Sequence, residues 1–135
     1  MIVFDEHMLF RFGVKLAFEN IADIHIAGEA SHVAALLGIL AQTAVDVVLL
    51  GVNIPNDSSY IDVTRHIRSD YPAAKILAVA NEDTFNTVQS LMDAGINGYI
   101  GKRQANSIEL EKAIRKVAAG SEYIGRIDSN KYYMG

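Results

Sequence analysis

The chain has 135 residues, half of them hydrophobic, which is enough for one domain with a real core and too short for two of ordinary size. Its 16 acidic and 12 basic residues give a formal net charge of -4, and the cations are scattered instead of blocked, which argues against direct nucleic-acid binding by these residues. The absence of cysteine excludes a disulfide framework and a thiolate metal site, and no apolar run reaches the roughly 18 residues that span a bilayer, so the sequence reads as soluble, untargeted and compatible with a reducing cytoplasm.

Short runs rich in β-branched residues alternate with stretches of helical period. Residues 1–4 predict a first strand, and Phe10, Val14, Ala17 and Phe18 make the apolar stripe of a first helix. Residues 24–27 predict a second strand, followed by a helix striped by Val33, Leu36, Leu37 and Leu40 with Ser31 as its cap. A third strand over 45–50 leads to a helix carrying Ile61, Thr64, Ile67 and Tyr71 and stopped by Pro72. A fourth strand over 76–80 precedes a helix with Phe85, Val88, Leu91 and Met92, ended by Gly95. The fifth strand covers 98–100. Its helix opens on "NSIE", a capping box of Asn106 and Glu109, continues through Leu110, Ile114 and Val117, and ends at Gly120.

Five strand-helix units imply right-handed crossovers, a five-stranded parallel sheet and helices on both of its faces. Functional residues in such a sheet gather at the carboxyl ends of the strands. That rule selects Asp5 and Glu6, the segment 51–55, the segment 79–81, and Lys102. Residues 121–135 have little period and are expected to be a linker or tail behind a domain of residues 1–120.

An acidic pair after the first strand, "DVVLLGVNIP" at the third and "GYIGK" at the fifth together resemble a response-regulator receiver domain of two-component signalling. The segments "DEH", "AGEAS", "MDAGINGYIGK" and "AIRKVAAG" are most similar to receivers joined to a LuxR-type helix-turn-helix. The resemblance covers residues 1–120 and implies a flavodoxin-like (βα)5 three-layer sandwich. It also implies that the phosphoacceptor aspartate position is occupied by Gly51 and the hydroxyl position after the fourth strand by Val79. Lys102 matches the phosphoryl-pairing lysine and Tyr99 the switch aromatic, while Asp5 and Glu6 match the magnesium acids, with the main-chain carbonyl of Asn53 as a third metal ligand.

Glycine offers no oxygen to attack phosphorus and valine no hydroxyl to meet a phosphoryl group, so no catalytic residue is expected and no enzyme activity. Asp46, five residues before Gly51, lies about 16 Å back along the strand at roughly 3.3 Å per residue and cannot substitute. Asp57 is expected to be a turn or cap residue. No cofactor is expected beyond a weakly held magnesium ion, because magnesium gains affinity from carboxylates together with substrate phosphates. Asp5, Glu6 and Lys102 are expected to form a salt-bridge cluster. The four histidines lack metal-ligand spacing, and no GxGxxG or GxxxxGK[ST] motif provides a nucleotide cradle.

The resulting expectation is an atypical receiver, independent of phosphorylation, that dimerises or binds proteins in transcriptional control. A sensor kinase or other regulatory protein is the expected partner besides a second copy, and DNA is reached only through a further domain. The mixed charges of Glu109, Glu111, Lys112, Arg115 and Lys116 offer either a solvated face or reciprocal salt bridges across a two-fold axis. The alternative is a receiver phosphorylated on, or binding an anion through, a non-standard residue such as Asp57 or Lys102.

Overall fold

A computed structural model of the chain describes residues 1–53, 58–81 and 85–125. In chain order these form β1 (Ile2–Phe4), α1 (Met8–Phe18), β2 (Gly28–Ala30), α2 (Val33–Gln42), β3 (Val47–Val52) and α3 (Ser58–Asp70), followed by β4 (Lys75–Ala80), α4 (Phe85–Ala94), β5 (Gly98–Gly101), α5 (Ser107–Ala118) and β6 (Tyr123–Ile124). The sheet is parallel throughout, in the order β2-β1-β3-β4-β5-β6. It has six strands, not the expected five. The extra strand lies in the expected tail, where Tyr123 and Ile124 pair with Gly98 and Tyr99.

Alternation along the strands divides the core into two layers. Ile2, Phe4, Val48, Leu50, Ile76, Ala78 and Tyr99 face a cluster completed by α2, α3 and α4. Val3, Val47, Leu49, Leu77, Val79 and Ile100 face the other side, against Val14 and Phe18 of α1 and Leu110, Ile114 and Val117 of α5. Because β3 and β4 are buried on both faces, they read as continuous apolar runs, as central parallel strands do.

Several predicted boundaries shift for local reasons. The second strand lies at 28–30 instead of 24–27, since Ile24 and Ile26 pack against the α1/α5 cluster as irregular chain, while His25 O and Ala27 N bond only Met1, ahead of β1, at 2.7 and 2.8 Å. The cap of α2 is His32, not Ser31: its Nδ1 accepts from Ala35 N at 3.3 Å. The capping box of α5 is half formed. Asn106 Oδ1 accepts from Glu109 N at 2.8 Å, but the Glu109 carboxylate accepts from Tyr123 Oη at 3.0 Å instead of reaching back to Asn106.

Two glycines end helices in the left-handed region, Gly95 at φ 118° and Gly120 at φ 92°. A Cβ at Gly95 would also stand 2.6 Å from Arg68 Cγ, whereas one at Gly38 in α2 would meet nothing within 4 Å. Gly95→Ala is therefore expected to destabilise the domain by about 1–2 kcal/mol, and Gly38→Ala to stabilise it by about 0.5–1 kcal/mol. Urea denaturation of the two variants beside wild type measures both.

Candidate functional site

The carboxyl ends of the inner strands are held level by the sheet. Asn81 N donates to Val52 O at 3.1 Å and Lys102 N to Ala80 O at 2.8 Å, so Asn53, Asn81 and Lys102 leave their strands at the same height. Asp5 joins them from the end of β1, where its own N–H donates to Ala30 O at 3.1 Å.

Gly51 faces Asp5. A Cβ at residue 51 would lie 2.0 Å from Asp5 Oδ2 and 2.6 Å from its Cγ, so the carboxylate fills the space that any side chain there would need. Asp5 is fully buried. Its Oδ1 accepts from His7 N at 2.8 Å and Asn53 Nδ2 at 2.9 Å. Its Oδ2 stands 2.8 Å from Lys102 Nζ, near enough for an ion pair but not aligned as a hydrogen bond, and no other donor among the described residues meets that oxygen. Lys102 Nζ donates instead to Asn53 Oδ1 at 2.5 Å, and that oxygen also accepts from Asn81 Nδ2 at 3.2 Å. The lysine head lies 4.4 Å from the centre of the Phe10 ring, which adds a cation–π contact.

The structure thus brings together Asp5, Gly51, Asn53 and Lys102 and leaves two expected members out. Glu6 is exposed and makes no ion pair with a described residue, so the expected acidic pair contributes one carboxylate to the cluster. Val79 pairs across the sheet with Gly51 but is buried in the apolar layer beneath α1 and α5. Ala80, one residue further, is the last residue of β4. Neither position carries a hydroxyl. Tyr99, the position matched to the switch aromatic, is completely buried in the opposite layer. Asp46 precedes β3 at its amino end, and Asp57 lies outside the described residues. Of the expected metal set, Asp5 is turned inward to Lys102 and Glu6 is exposed, and no group of three His, Cys, Asp or Glu among the described residues is placed to hold an ion.

Sequence reasoning missed Phe10 and Arg11. Phe10 was legible as a stripe residue of α1, but its position beneath Lys102 depends on how α1 crosses the sheet. Arg11 Nη1 donates to Asp5 O at 2.6 Å while its Nε bonds Glu29 Oε1 at 2.8 Å; Lys15 also binds Glu29. Hydrogen bonds from Lys15, then from Arg11, hold the Glu29 carboxyl below its ordinary value of 4.5.

Two outcomes follow from this geometry. Lys102→Met leaves a buried carboxylate without its counter-charge and is expected to cost about 3 kcal/mol, with Asp5→Asn in the same chain recovering part of the loss; a double-mutant cycle by urea denaturation reads the coupling. Because the folded value of Glu29 is depressed, its contribution is fully present above pH 4.5 and is lost as pH falls through the folded value. The difference in melting temperature between wild type and Glu29→Gln should be largest near neutrality and close on acidification.

The chain matches the response regulator receiver domain family over residues 1–115. It is 33% identical over 126 residues to the response regulator GacA of Pseudomonas aeruginosa, covering 92% of this chain and 57% of that protein. It is 31% identical to the nitrate/nitrite response regulator NarP of Escherichia coli, covering 90% and 56%. The chain therefore spans little more than half the length of these relatives. In fold it is similar to the non-phosphorylated receiver domain of RcsB from Escherichia coli, with a TM-score of 0.82 at 22% identity over 93% of this chain and 96% of that one. A LuxR-family response regulator from Aurantimonas gives a TM-score of 0.80 at 24% identity, over 97% and 91%. An inward-facing aspartate and lysine at the carboxyl ends of a parallel sheet, the family match over most of the chain and these relatives lead to one assignment: the chain belongs to the response regulator receiver domain family.

Proposed function

We propose that this domain is an atypical receiver that works without phosphorylation, as a dimerisation or protein-interaction module in transcriptional control. The observation that carries the reading is the space at Gly51, which holds the Asp5 carboxylate instead of an acceptor side chain. An aspartyl phosphate needs a carboxylate that a donor can reach, and the one carboxylate at this point among the described residues is fully buried with its charge met by Lys102.

The same pairing bears on magnesium. A site left with Asp5, already neutralised by lysine, with exposed Glu6 and with the Asn53 main chain supplies little ligand charge, so binding on the order of millimolar or weaker is expected. It also bears on an anion at Lys102, whose ammonium is occupied by Asp5 and Asn53. With neither covalent nor ionic input at this point, the output is a surface. That surface serves a second copy or a regulatory protein in the cytoplasm, and DNA is contacted through a domain other than this one.

Incubation with acetyl phosphate and magnesium followed by intact-mass measurement tests the proposal. The expected result is an unmodified chain. A stable phosphoryl adduct, mapped to Asp57 or elsewhere, would overturn phosphorylation independence in favour of a receiver with a non-standard acceptor.

A further inference from the structure

The outer edge of β5 is covered by the chain's own continuation. α5 gives way to Gly120, whose φ of 92° turns the chain back, with Gly120 N bonded to Val117 O and Ser121 N to Lys116 O, both at 3.0 Å. Tyr123 and Ile124 then pair in parallel with Gly98 and Tyr99, and Gly125 N donates to Tyr99 O at 2.7 Å. The Tyr123 hydroxyl donates to Glu109 Oε2 at 3.0 Å. Burial, and then this bond, push the phenol above its ordinary value of 10.0, so the hydroxyl keeps its proton and can donate throughout the neutral range.

Two glycines shape the contact. A Cβ at Gly98 would lie 3.1 Å from Tyr123 O and 2.6 Å from Val117 Cγ2, and one at Gly125 would lie 3.3 Å from both Ile100 Cα and Tyr99 O. The edge therefore takes a segment of defined order: an aromatic hydroxyl that reaches Glu109, then a residue turned partly to solvent, as Ile124 is, then a residue with no side chain beside β5. The segment is held by little. Only two residues pair, and Ile124 is 39% exposed. Short elements with few buried contacts open locally at low free energy, and each opening bares the unpaired main-chain groups of β5, which an extended chain can bond.

We propose that the outer edge of β5 is a docking site for an extended segment of a regulatory protein, of the order tyrosine, any residue, glycine, and that residues 123–125 are its resident competitor. The chain's own segment selects this occupant, because it displays what the edge accepts: main-chain bonds in parallel register, a hydroxyl for Glu109 and no side chain at the third place. Glu109 is free to serve as the fixed point, since Lys112 stands 3.8 Å from its other carboxylate oxygen and leaves Oε2 to the phenol. Only Ser121 and Glu122 separate the turn at Gly120 from β6, so the resident segment faces β5 at an effective concentration on the order of millimolar. A partner segment binds well once residues 123–125 are displaced.

This inference rests on the protein-interaction part of the function proposed above and names its surface. The acetylated and amidated peptide GSEYIGR, which repeats residues 120–126, is titrated into the isotope-labelled full chain, into Gly125→Pro, which loses the N–H that bonds Tyr99 O, and into Tyr123→Phe, which loses only the phenol bond. Melting curves monitored by circular dichroism establish that the variants are folded. The expected result is that the amide resonances of Gly98, Tyr99 and Ile100 shift in Gly125→Pro at a peptide concentration about tenfold below the one wild type requires, with Tyr123→Phe between the two, and that the same peptide carrying Gly125→Val shifts none of them. Equal responses in wild type and both variants overturn the competition, and a valine peptide that binds as well as the glycine one overturns the order of residues. No response in any of the three chains overturns docking at β5 and leaves phosphorylation independence standing, whereas a phosphoryl adduct from acetyl phosphate removes that reading without altering these shifts.

Discussion

The missing Cβ at Gly51 is the constraint on which the candidate site is built. Asp5 leaves β1 pointing along the sheet, and it can enter the space beside β3 because nothing stands there. Once inside, it is cut off from water, and a buried carboxylate is tolerated only when charge and hydrogen bonds replace its hydration. His7 N, Asn53 Nδ2 and Lys102 Nζ supply that replacement. The arrangement closes on itself: Asn53 donates to the aspartate with one end of its amide and accepts from the lysine with the other. A group that elsewhere could face a ligand is here consumed by its neighbours.

The cluster reaches outward through α1. Phe10 underlies Lys102, and Arg11 ties the carbonyl of Asp5 to Glu29 at the start of β2. The helix is thus anchored by its inner side and its first turns to the ion pair, while its outer side presents Leu9, Phe12 and Leu16 to solvent. Stability at the sheet end and the shape of the exposed helix face share one support. The polar contacts contribute modestly as single bonds, but those around a buried charge cannot be removed one at a time without leaving that charge exposed to an apolar surround.

Much of this architecture was legible in the residues. β3 and β4 announce themselves as β-branched apolar runs, the stripes of α1 and α5 have the right period, and Asn106 marks the start of α5 as its side chain then confirms. What escaped reading was decided by contacts between distant segments. Ile24 and Ile26 look like a strand because they are apolar and β-branched, yet they serve as packing for α1 and α5. Two residues, Tyr123 and Ile124, are too few to show a period, and become a strand because β5 offers a free edge. Glu6 resembles Asp5 in type, and only the path of the chain after β1 sends one inward and the other to water. Gly51 could be recognised as an absence, but not the residue that fills it; that required knowing how far the Asp5 side chain reaches. Val79 was assigned one position short of the strand's end, where alternation turns it under the sheet.

The sixth strand changes how motion would be transmitted out of the domain. Beyond α5 the chain turns back along β5, and Gly125 N donates to Tyr99 O at 2.7 Å, where a Cβ would come within 2.7 Å of Gln104 Oε1 and 3.3 Å of the β5 backbone. The exit is therefore clasped to the strand that precedes Lys102 instead of trailing from the end of a helix. Residues 123–125 thereby hold a fixed bearing on the sheet and follow β5 as a lever follows its fulcrum.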